Sequence, residues 1–494
     1  MILETLIILI YSIALVLIFL YALAQLNLLY NYNKAKKTID KSETFDFSNA
    51  DEIPVVTIQL PVYNEMYVME RLLENISKMD YPKDKLEVQV LDDSTDESIE
   101  TTTAQILALQ EAGLDIKHIR RTDRSNFKAG ALKAGLKTAK GEFIAIFDAD
   151  FLPKPNWLLQ TIPYFKNKNI GVVQTRWSHL NRDYSLLTKV QAFALDAHFT
   201  LEQVGRNFKG HFINFNGTAG VWRKTCILDA GNWKGDTLTE DLDLSYRAQL
   251  KHWEFKYLED IETPAELPIV VSAARSQQFR WNKGAAENFR KSFWTVLRSK
   301  DVTTNTKIHA FFHLLNSSMF INIFVLAILS VPMLYIKQHE AFQLYFIGLG
   351  FFMLSSIIFF VFYWSMYKKI YGKGFKHFVK YIGMFLAFFT IIMGFSLHNT
   401  IAVLEGHLGK RSDFIRTPKF NVNAIKDSWK DNKYLNTKLS ISTVFEGLLA
   451  LYFAFGLYSA FTVKQNGDFG FFGFHLMLFI GFGYVFLKSV TSKV

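Results

Sequence analysis

Apolar and polar positions divide the chain into a mixed region framed by long apolar runs. The first run, residues 6–26, has the roughly 20 residues that a helix needs to cross the hydrocarbon core of a bilayer. From about residue 30 to residue 300 the composition is mixed, as in a water-soluble domain, and apolar runs dominate again from residue 308. Five further membrane spans are predicted in this last part, at residues 308–336, 342–367, 378–404, 440–463 and 469–488.

The first apolar run also has features of a signal peptide, because Ala22-Leu23-Ala24 resembles a cleavage site. However, no Lys or Arg precedes the run, the run is too long, and the lysine-rich stretch 34–37 follows it. We therefore predict an uncleaved transmembrane anchor over residues 1–29, followed by a cytoplasmic domain over residues 30–282.

The end of the mixed region has the pattern of a helix in the headgroup plane. Aromatic and basic residues such as Phe289, Trp294, Arg290 and Lys291 alternate there, so an interfacial amphipathic helix is predicted over residues 283–304. An ordinary amphipathic helix packed on the soluble domain would give the same pattern. The rest of the chain, 305–494, is predicted to be a multi-span region with a basic cytoplasmic loop near 405–438.

The charges of two late loops leave one part of the topology open. Both the 368–380 loop and the 405–438 loop are rich in Lys and Arg, so both favour the cytoplasm. A single crossing by 378–404 would put one of them outside. That segment is therefore a re-entrant hairpin, an interfacial segment or an exception to the charge rule.

Within the mixed region, three short apolar runs alternate with segments of helical pattern. The runs are residues 55–60, 86–91 and 143–147, and this alternation is typical of parallel βαβ units. In open α/β sheets, ligands bind beyond the carboxyl ends of the strands, so the polar clusters that follow should face one crevice. These clusters are Pro61-Val62-Tyr63-Asn64-Glu65, Asp92-Asp93-Ser94-Thr95-Asp96 and Asp148-Ala149-Asp150.

Asp148 and Asp150 flank a small residue at the end of the third run. Two carboxylates in this position can hold a hard divalent cation, Mg²⁺ or Mn²⁺, together with diphosphate oxygens. A leaving nucleoside diphosphate needs such a cation because negative charge develops on it. A pair of solvated loop acids is the simpler alternative.

The two earlier clusters supply candidates for binding a nucleotide. Asp92 and Asp93 can accept hydrogen bonds from a base or a ribose, although capping of the next helix is an alternative. Tyr63, in the same cluster as Glu65, could stack on a nucleobase or fill the wall of the crevice. Lys128 lies among small residues and could pair with a diphosphate, or it could be a solvated surface lysine.

Thr239-Glu240-Asp241 precedes a stretch of helical periodicity and should lie at the start of a helix. The structural interpretation is an N-terminal cap with favourable dipole charges. The functional interpretation makes Asp241, with Glu240 beside it, the catalytic group, with Asp241 as the general base that takes a proton from an acceptor hydroxyl.

Gln277-Gln278-Phe279-Arg280-Trp281 combines an amide, a guanidinium and an indole next to the interfacial segment. Trp281 could stack on a sugar ring while Arg280 pairs with phosphate. An interfacial aromatic beside a basic side chain that reaches for the headgroups is the alternative.

Composition excludes several other classes of protein. Half of the 494 residues are apolar and 47 are Phe, so the chain is too apolar for a single soluble domain. The single cysteine, Cys226, excludes an intramolecular disulfide and a cysteine-based zinc site, and it is predicted to be buried. The Lys and Arg residues that give the net charge of +10 gather beside apolar runs. This position favours a bilayer, and not nucleic acid, as the partner.

Taken in order, these motifs resemble those of glycosyltransferase family 2, in particular its cellulose-synthase-like and glucomannan-mannosyltransferase-like members. The four signatures of that family look like Asp93, Asp148 with Asp150, Thr239-Glu240-Asp241, and Gln277 with Arg280 and Trp281. Three further stretches resemble family features: residues 127–132, residues 216–220 before Trp222-Arg223-Lys224, and Arg416-Thr417-Pro418-Lys419. The resemblance covers roughly residues 50–420.

The resemblance implies an α/β GT-A fold, Rossmann-like with a mostly parallel sheet, joined to an α-helical transmembrane bundle. It also implies a divalent cation, a cytoplasmic active site in bacterial members, direct displacement with inversion, and a Gln277-to-Trp281 motif that holds the acceptor. The chain has no recognisable cyclic-dinucleotide-binding domain or plant-type zinc region. The doubled Gln277-Gln278 is more similar to the glucomannan-synthase-like branch.

We therefore expect an inverting, processive β-glycosyltransferase in a bacterial plasma membrane. It would move a hexose from UDP-glucose or GDP-mannose to a growing polysaccharide, with Mg²⁺ or Mn²⁺. One alternative is a glycolipid synthase that glucosylates ceramide or diacylglycerol. The other alternative is a transporter or channel with a non-catalytic domain. Charged residues within the spans would favour it, but the predicted spans contain few, of which Glu446 is the clearest.

Overall fold

The computed structural model describes residues 1–38, 52–422, 432–434 and 440–491. Residues 52–270 form an α/β domain around one seven-stranded sheet, whose strand order is β3-β2-β1-β4-β6-β5-β7. The strands are β1 (Val56–Val62), β2 (Leu86–Asp92), β3 (Ile116–Arg120), β4 (Phe143–Ile146), β5 (Ile170–His179), β6 (Gly220–Arg223) and β7 (Glu254–Ala265).

The sheet is mostly parallel, as predicted. Strand β1 pairs in parallel with β2 and β4, β2 pairs in parallel with β3, and β5 pairs in parallel with β7. Strand β6 is antiparallel to both of its neighbours, β4 and β5. The three apolar runs of the sequence became β1, β2 and β4, which confirms the α/β fold class.

Both faces of the sheet are covered, so the polar side chains that alternate with apolar ones in β1 and β2, such as Thr57 and Glu87, are buried as well. Val88 packs on one face in a cluster with Trp157, and Leu91 packs on the other face with Trp222. Cys226 is fully buried in the second cluster, as expected for a small apolar side chain. The two layers fix the sheet, so the loops at the carboxyl ends of its strands have a rigid base.

Helices are numbered along the whole chain, beginning with α1 (Ile2–Ala35) before the α/β domain. The helices of the domain are α2 (Met69–Ser77), α3 (Ser98–Glu111), α4 (Phe127–Leu136), α5 (Trp157–Thr161), α6 (Leu186–Ala197), α7 (Gln203–Asn207), α8 (Lys224–Asp229) and α9 (Glu240–Gln249). The helices after the domain are α10 (Val271–Arg298), α11 (Thr304–Leu315), α12 (Met319–Ile336), α13 (Gln343–Leu349), α14 (Met353–Ile370), α15 (Phe375–Gly394), α16 (Ser396–Leu408), α17 (Ile441–Thr462) and α18 (Phe472–Thr491).

Six helical segments of the described chain are long and apolar enough to cross a membrane. They are Ile2–Ala35, Thr304–Ile336, Glu340–Ile370, Phe375–Gly394, Ile441–Thr462 and Phe472–Thr491. They agree in number and approximate position with the anchor and the five spans predicted from sequence. The basic loop expected near 405–438 is described at 405–422 and 432–434, and its other positions lie outside the described residues.

Two helical boundaries differ from the sequence prediction. The amphipathic helix expected at 283–304 is α10, which begins at Val271 and ends at Arg298, so the Gln277-to-Trp281 motif lies within it. The predicted 378–404 span is divided at Phe395 into α15 and α16. The apolar pattern missed the start of α10 because its first turns carry Ser, Gln and Arg, whose partners lie in the protein and include Glu446 of α17 and Asn399 of α16.

Helices α15 and α18 approach each other closely through two glycines. A Cβ atom at Gly394 would lie 2.2 Å from the carbonyl oxygen of Gly481, and one at Gly481 would lie 2.1 Å from the carbonyl oxygen of Thr390. Backbone atoms cannot yield as a flexible side chain does, so any side chain at either position would push the helices apart. This close packing is typical of membrane helices, which use small residues at their contacts.

We expect Gly481→Ala to destabilise the protein by about 1–3 kcal/mol, the usual cost of overpacking. Thermal unfolding of the purified protein in detergent would measure the change. Gly483→Ala, two residues along the same helix, is the control, because a Cβ atom at Gly483 meets nothing within 4 Å. Equal unfolding temperatures for the two variants would contradict the close α15–α18 contact.

Candidate active site

The polar clusters after β1, β2 and β4 meet at one edge of the sheet, as the sequence predicts. Two adjoining cavities lie there, and both open to solvent. The first cavity is lined by the acidic, amide and aromatic side chains of Asp148, Asp150, Glu240, Asp241, Gln277 and Trp281. The second is lined by Tyr63, Glu65, Asp93, Arg124 and Arg416, and both cavities share Lys128, Asp148 and Arg280.

Each acid of the Asp148–Asp150 pair is bonded to a lysine. The Lys128 ammonium donates to Asp148 at 2.5 Å and to the Gly217 carbonyl oxygen at 2.9 Å. The Lys419 ammonium lies 2.7 Å from Asp150 Oδ2. Burial alone would lower the pKa of Lys128, but nearby carboxylates, Asp148 first, raise it overall. The two ammonium groups thus place a positive charge against each acid.

The Asp148–Asp150 pair fits a hard divalent cation. Asp150 is almost fully buried, and its Oδ1 has no hydrogen-bond partner among the described residues. A buried carboxylate oxygen without a donor is costly unless a cation or a ligand satisfies it. Within the described part of the chain, no group of three or more His, Cys, Asp or Glu side chains could enclose a metal. A cation here would therefore take its other ligands from phosphate or water, as Mg²⁺ commonly does.

The second cavity has an aromatic wall with an arginine against it. The Arg124 guanidinium lies 3.3 Å from the centre of the Tyr63 ring. Asp93 faces the same cavity, and its carboxylate accepts a 2.9 Å hydrogen bond from Arg121 Nε. Arg121 and Arg124 were not predicted from the sequence, because a basic loop between a strand and a helix usually indicates a solvated surface.

Asp92 does not face either cavity, contrary to the nucleotide-binding role predicted for it. It is the last residue of β2, and its buried carboxylate bonds to His118 at 2.8 Å and accepts from the Ser94 backbone N–H at 2.8 Å. Successive side chains of a strand point to opposite faces, so Asp92 and Asp93 cannot share one role.

Glu65 lines the second cavity and bonds to a residue from the far end of the chain. Arg416 Nη1 donates to Glu65 Oε2 at 2.6 Å. Burial raises the pKa of Glu65 to about 7, although Arg416 and Lys419 act in the opposite direction. The 409–422 segment therefore contributes to both cavities. Lys419 lines both of them, and Arg416 lines the second.

Asp241 lies in the first turn of α9, where the sequence predicted a helix start. Thr239 is at the cap position, but its side chain makes no capping bond and instead accepts from Asn288 Nδ2 at 2.9 Å. Asp241 Oδ1 accepts from the Leu242 N–H at 2.9 Å. Burial, together with repulsion from Glu240, raises the pKa of Asp241 to about 7. Such a carboxyl group can take up a proton near neutral pH.

The backbone beside Asp241 requires a glycine. Gly217 has a positive φ of 77°, and a Cβ atom there would lie 3.1 Å from Asp241 Oδ2. The same glycine accepts the Lys128 hydrogen bond through its carbonyl oxygen. The Asn216-Gly217-Thr218 loop thus brings the Lys128–Asp148 pair and the Asp241 carboxylate to one wall of the first cavity.

Helix α10 brings Gln277, Arg280 and Trp281 to the first cavity. The Arg280 guanidinium donates to the Thr417 hydroxyl at 2.9 Å and lies 4.5 Å from the centre of the Phe414 ring. Gln278 points the other way, where its side-chain oxygen accepts from Asn399 of α16 at 2.8 Å. The two adjacent glutamines therefore face different partners, the cavity and the helical region.

Besides Arg124, several other cavity residues were not singled out from the sequence as site residues. Trp177 and His179 lie at the end of β5, a strand that the apolar pattern did not predict. Phe414 and Lys419 come from the 409–422 segment, of which only residues 416–419 had been noted, as a family feature. The signal for the first pair was a Trp and a His at the end of a strand-like run. The sequence around Phe414 gave no such signal, because the position of Phe414 depends on a contact between distant parts of the chain.

Comparison with known proteins agrees with these motifs. Residues 54–284 match the family described as "Glycosyltransferase like family 2". "Probable glucomannan 4-beta-mannosyltransferase 7" of Oryza sativa subsp. japonica is 46% identical over 263 residues, which are 52% of this chain and 45% of that protein. "Glucomannan 4-beta-mannosyltransferase 2" of Arabidopsis thaliana is 40% identical over 287 residues, 56% of this chain and 54% of that protein. The chain spans about half the length of these relatives.

A solved structure shares the fold. It is that of the mannosyltransferase from Pyrobaculum calidifontis in complex with GDP-Man and Mn²⁺, with a TM-score of 0.56 and 18% sequence identity. The similarity covers 81% of this chain and 100% of that one. Residues 54–284 are therefore similar to glycosyltransferase-like family 2 proteins, and the resemblance to the glucomannan 4-beta-mannosyltransferases that the motifs predicted is confirmed.

Proposed function

We propose that this chain is a membrane-bound, inverting β-glycosyltransferase that moves a hexose from a nucleoside diphosphate sugar to a growing polysaccharide. One observation supports this most directly: Asp241, a buried carboxyl group whose pKa is raised to about 7, lines the same cavity as the Asp148–Asp150 pair and Trp281. A base, a pair of carboxylates that can hold a divalent cation and an aromatic ring for the sugar, all within one cavity, are what glycosyl transfer requires.

The donor would bind across both cavities. Its nucleoside would lie in the second cavity beside Tyr63 and Asp93, and its diphosphate would reach Asp148, which the two cavities share. When bound at Asp148 and Asp150, Mg²⁺ or Mn²⁺ supplies positive charge against the charge that develops on the leaving diphosphate. Lys128 and Arg280, which line both cavities, contribute fixed positive charge to the same region.

The acceptor would enter the first cavity with its hydroxyl towards Asp241. The Asp241 carboxylate takes the proton of that hydroxyl as the oxygen bonds to the anomeric carbon, and the bond from that carbon to the diphosphate breaks. One base suffices for a direct displacement, and the anomeric configuration inverts. Trp281 and Trp177, whose ring centres are 6.5 Å apart, offer faces for the sugar rings of the acceptor, with Gln277 as a polar partner.

The names of the curated relatives favour mannose, so GDP-mannose is the first donor to test and UDP-glucose the second. The test is incorporation of label from each donor by detergent-solubilised protein with Mn²⁺, in parallel with a chelator, followed by chain-length analysis. Metal-dependent label in a polymer would support the proposal and identify the donor. Label in a single lipid glycoside would favour the glycolipid synthase instead, and no transfer from either donor would contradict both.

We further propose that the α/β domain and both basic loops lie in the cytoplasm, with α15 along the membrane face of the domain. Before α15, Tyr371 donates to Asp196 of the domain, and after it His398 bonds to the Arg275 carbonyl oxygen of α10 at 3.1 Å. Phe388, in the middle of α15, has its ring 5.2 Å from that of Phe193 in α6. Contacts with the domain before and along α15, and with α10 after it, favour the interface over a crossing.

Cysteine labelling tests this topology, because the only native cysteine, Cys226, is fully buried. We expect cysteines at Lys373 and Lys410, on either side of α15 and α16, to resist an impermeant maleimide in intact cells and to react after permeabilisation. A cysteine at Lys464, beyond α17, should react in intact cells. Opposite accessibility of the first two positions would mean that α15 crosses the membrane. The curated relatives are plant proteins, so the bacterial plasma membrane stays a prediction from the sequence.

A further inference from the structure

The second cavity contains an arginine that no structural role explains. Arg124 lies on the loop between β3 and α4, and its guanidinium covers the Tyr63 ring at 3.3 Å and lies 5.1 Å from the centre of the Phe127 ring. Its Nε is buried without a hydrogen-bond partner, and the guanidinium donates no hydrogen bond to any residue in the described part of the chain. A group with five donors is thus held unpaired at the wall of a binding site.

The neighbouring arginines have ordinary partners. Arg121, three residues earlier, donates to both oxygens of Asp93 and to the Phe127 carbonyl oxygen. Arg120 donates to the Ser94 carbonyl oxygen at 3.3 Å. Arg124 alone of the three lines the cavity, and burial there lowers its pKa. An arginine that is partly desolvated without forming hydrogen bonds is expected where a ligand supplies the acceptors.

A nucleobase needs the surface that Arg124 covers. Tyr63 is the aromatic ring of the second cavity, and a base that stacks on it would replace the guanidinium on the ring face. The guanidinium would then move to the edge of the base, because the loop that carries it remains beside the cavity. At that edge its planar fork meets the hydrogen-bonding groups of the base.

We propose that Arg124 selects the nucleobase by donating two parallel hydrogen bonds to O6 and N7 of guanine. Guanine is the purine that presents two adjacent acceptors on one edge, and this pair is the usual partner of an arginine fork. Adenine presents a donor beside its N7, and the O4 of uracil has no second acceptor next to it. Arg124 is therefore a specificity-determining residue for a guanosine diphosphate sugar, an assignment that rests on the proposed function and narrows its donor.

The test compares GDP, UDP and ADP binding to the full-length protein in detergent, by titration calorimetry at fixed Mn²⁺ and ionic strength. The wild type should bind GDP at least about tenfold more tightly than UDP or ADP. Arg124→Lys keeps the positive charge but loses the fork. It should therefore weaken GDP binding by about tenfold or more and change UDP binding by less than about threefold. Arg120→Lys, outside the cavity, is the matched control and should keep the wild-type ratio.

The ratio of GDP to UDP affinity separates the possible failures. An equal loss of GDP and UDP binding in Arg124→Lys would mean that Arg124 acts on the diphosphate, and the inference would be wrong. An unchanged ratio, or a wild type that prefers UDP, would also overturn it, while nucleotide binding itself would leave the proposed function standing. A wild type that binds none of the three nucleotides would instead contradict the proposed function.

Discussion

Asp241→Asn should lower kcat for glycosyl transfer by about 10²–10⁴, the usual contribution of a general base. The expected loss is large because asparagine has the shape of the carboxylate but cannot take up a proton. Nucleotide binding should change little, since Asp241 lines the first cavity and not the second. Single-turnover rates with labelled donor, together with GDP and UDP affinities, would measure the two effects separately.

The pH dependence of the rate provides a second readout of the same variant. Because the pKa of Asp241 is raised to about 7, the active carboxylate should be lost as the pH falls through 7, and kcat/KM should fall about tenfold per pH unit below it. The residual rate of Asp241→Asn should lack this acid limb. If the limb persists, another cavity carboxyl group whose pKa burial raises, Glu65 or Glu240, is the titrating group.

The matched control for Asp241→Asn is Asp229→Asn. Asp229 is an exposed carboxylate at the end of α8 that bonds to Lys251 and Trp253 and lines neither cavity. We expect this variant to retain the wild-type rate. If Asp241→Asn also retained it, Asp241 could not be the base, and Glu240, which lines the same cavity, would be the next carboxylate to test.

The sequence predicted the strands that carry the acidic clusters because these strands are buried on both faces. Strands β1, β2 and β4 read as apolar-rich runs, although apolar and polar residues alternate in β1 and β2. Strand β3 did not, because only Ile116 of its five residues is fully buried. Apolar pattern reports burial and not strand pairing, so the partly exposed edge strand β3 was missed.

Local motifs predicted where side chains cluster, but not which of them are already bonded. Asp148 and Asp150 lie where their position after β4 implied, yet their contacts with Lys128 and Lys419 depend on the three-dimensional fold. Lys419 is 269 residues from Asp150 in sequence and reaches it only because the 409–422 segment crosses the cavities. No periodicity or spacing rule carries information about such a contact.

The buried Glu446 illustrates how a structure changes the meaning of a charge. As a lone acid within a predicted span, it favoured a transport function. Its carboxylate is fully buried and pairs with the Arg275 guanidinium of α10, which also donates to Thr443 at 2.9 Å. The pair joins α17 to the helix that carries Gln277 and Trp281. Glu446 therefore has a structural partner that accounts for its presence.

We expect Glu446→Ala to destabilise the protein by about 3–5 kcal/mol, because the substitution leaves the Arg275 guanidinium buried without a counter-ion. The double variant Arg275→Met/Glu446→Leu should recover most of this loss, since a buried ion pair and an apolar pair of similar volume are often equally stable. Unfolding of the purified variants in detergent would give both values, and Glu340→Ala, at an exposed position, is the control.

Transfer activity of the double variant separates stability from positioning. Arg275 lies two residues before Gln277 and six before Trp281, so the pair fixes the start of the helix that lines the first cavity. If the pair also orients that helix, the double variant should fold but show a raised KM for the acceptor with little change in kcat. Wild-type values of KM and kcat in the double variant would mean that the ion pair contributes to stability alone. A double variant no more stable than Glu446→Ala would refute the ion pair itself.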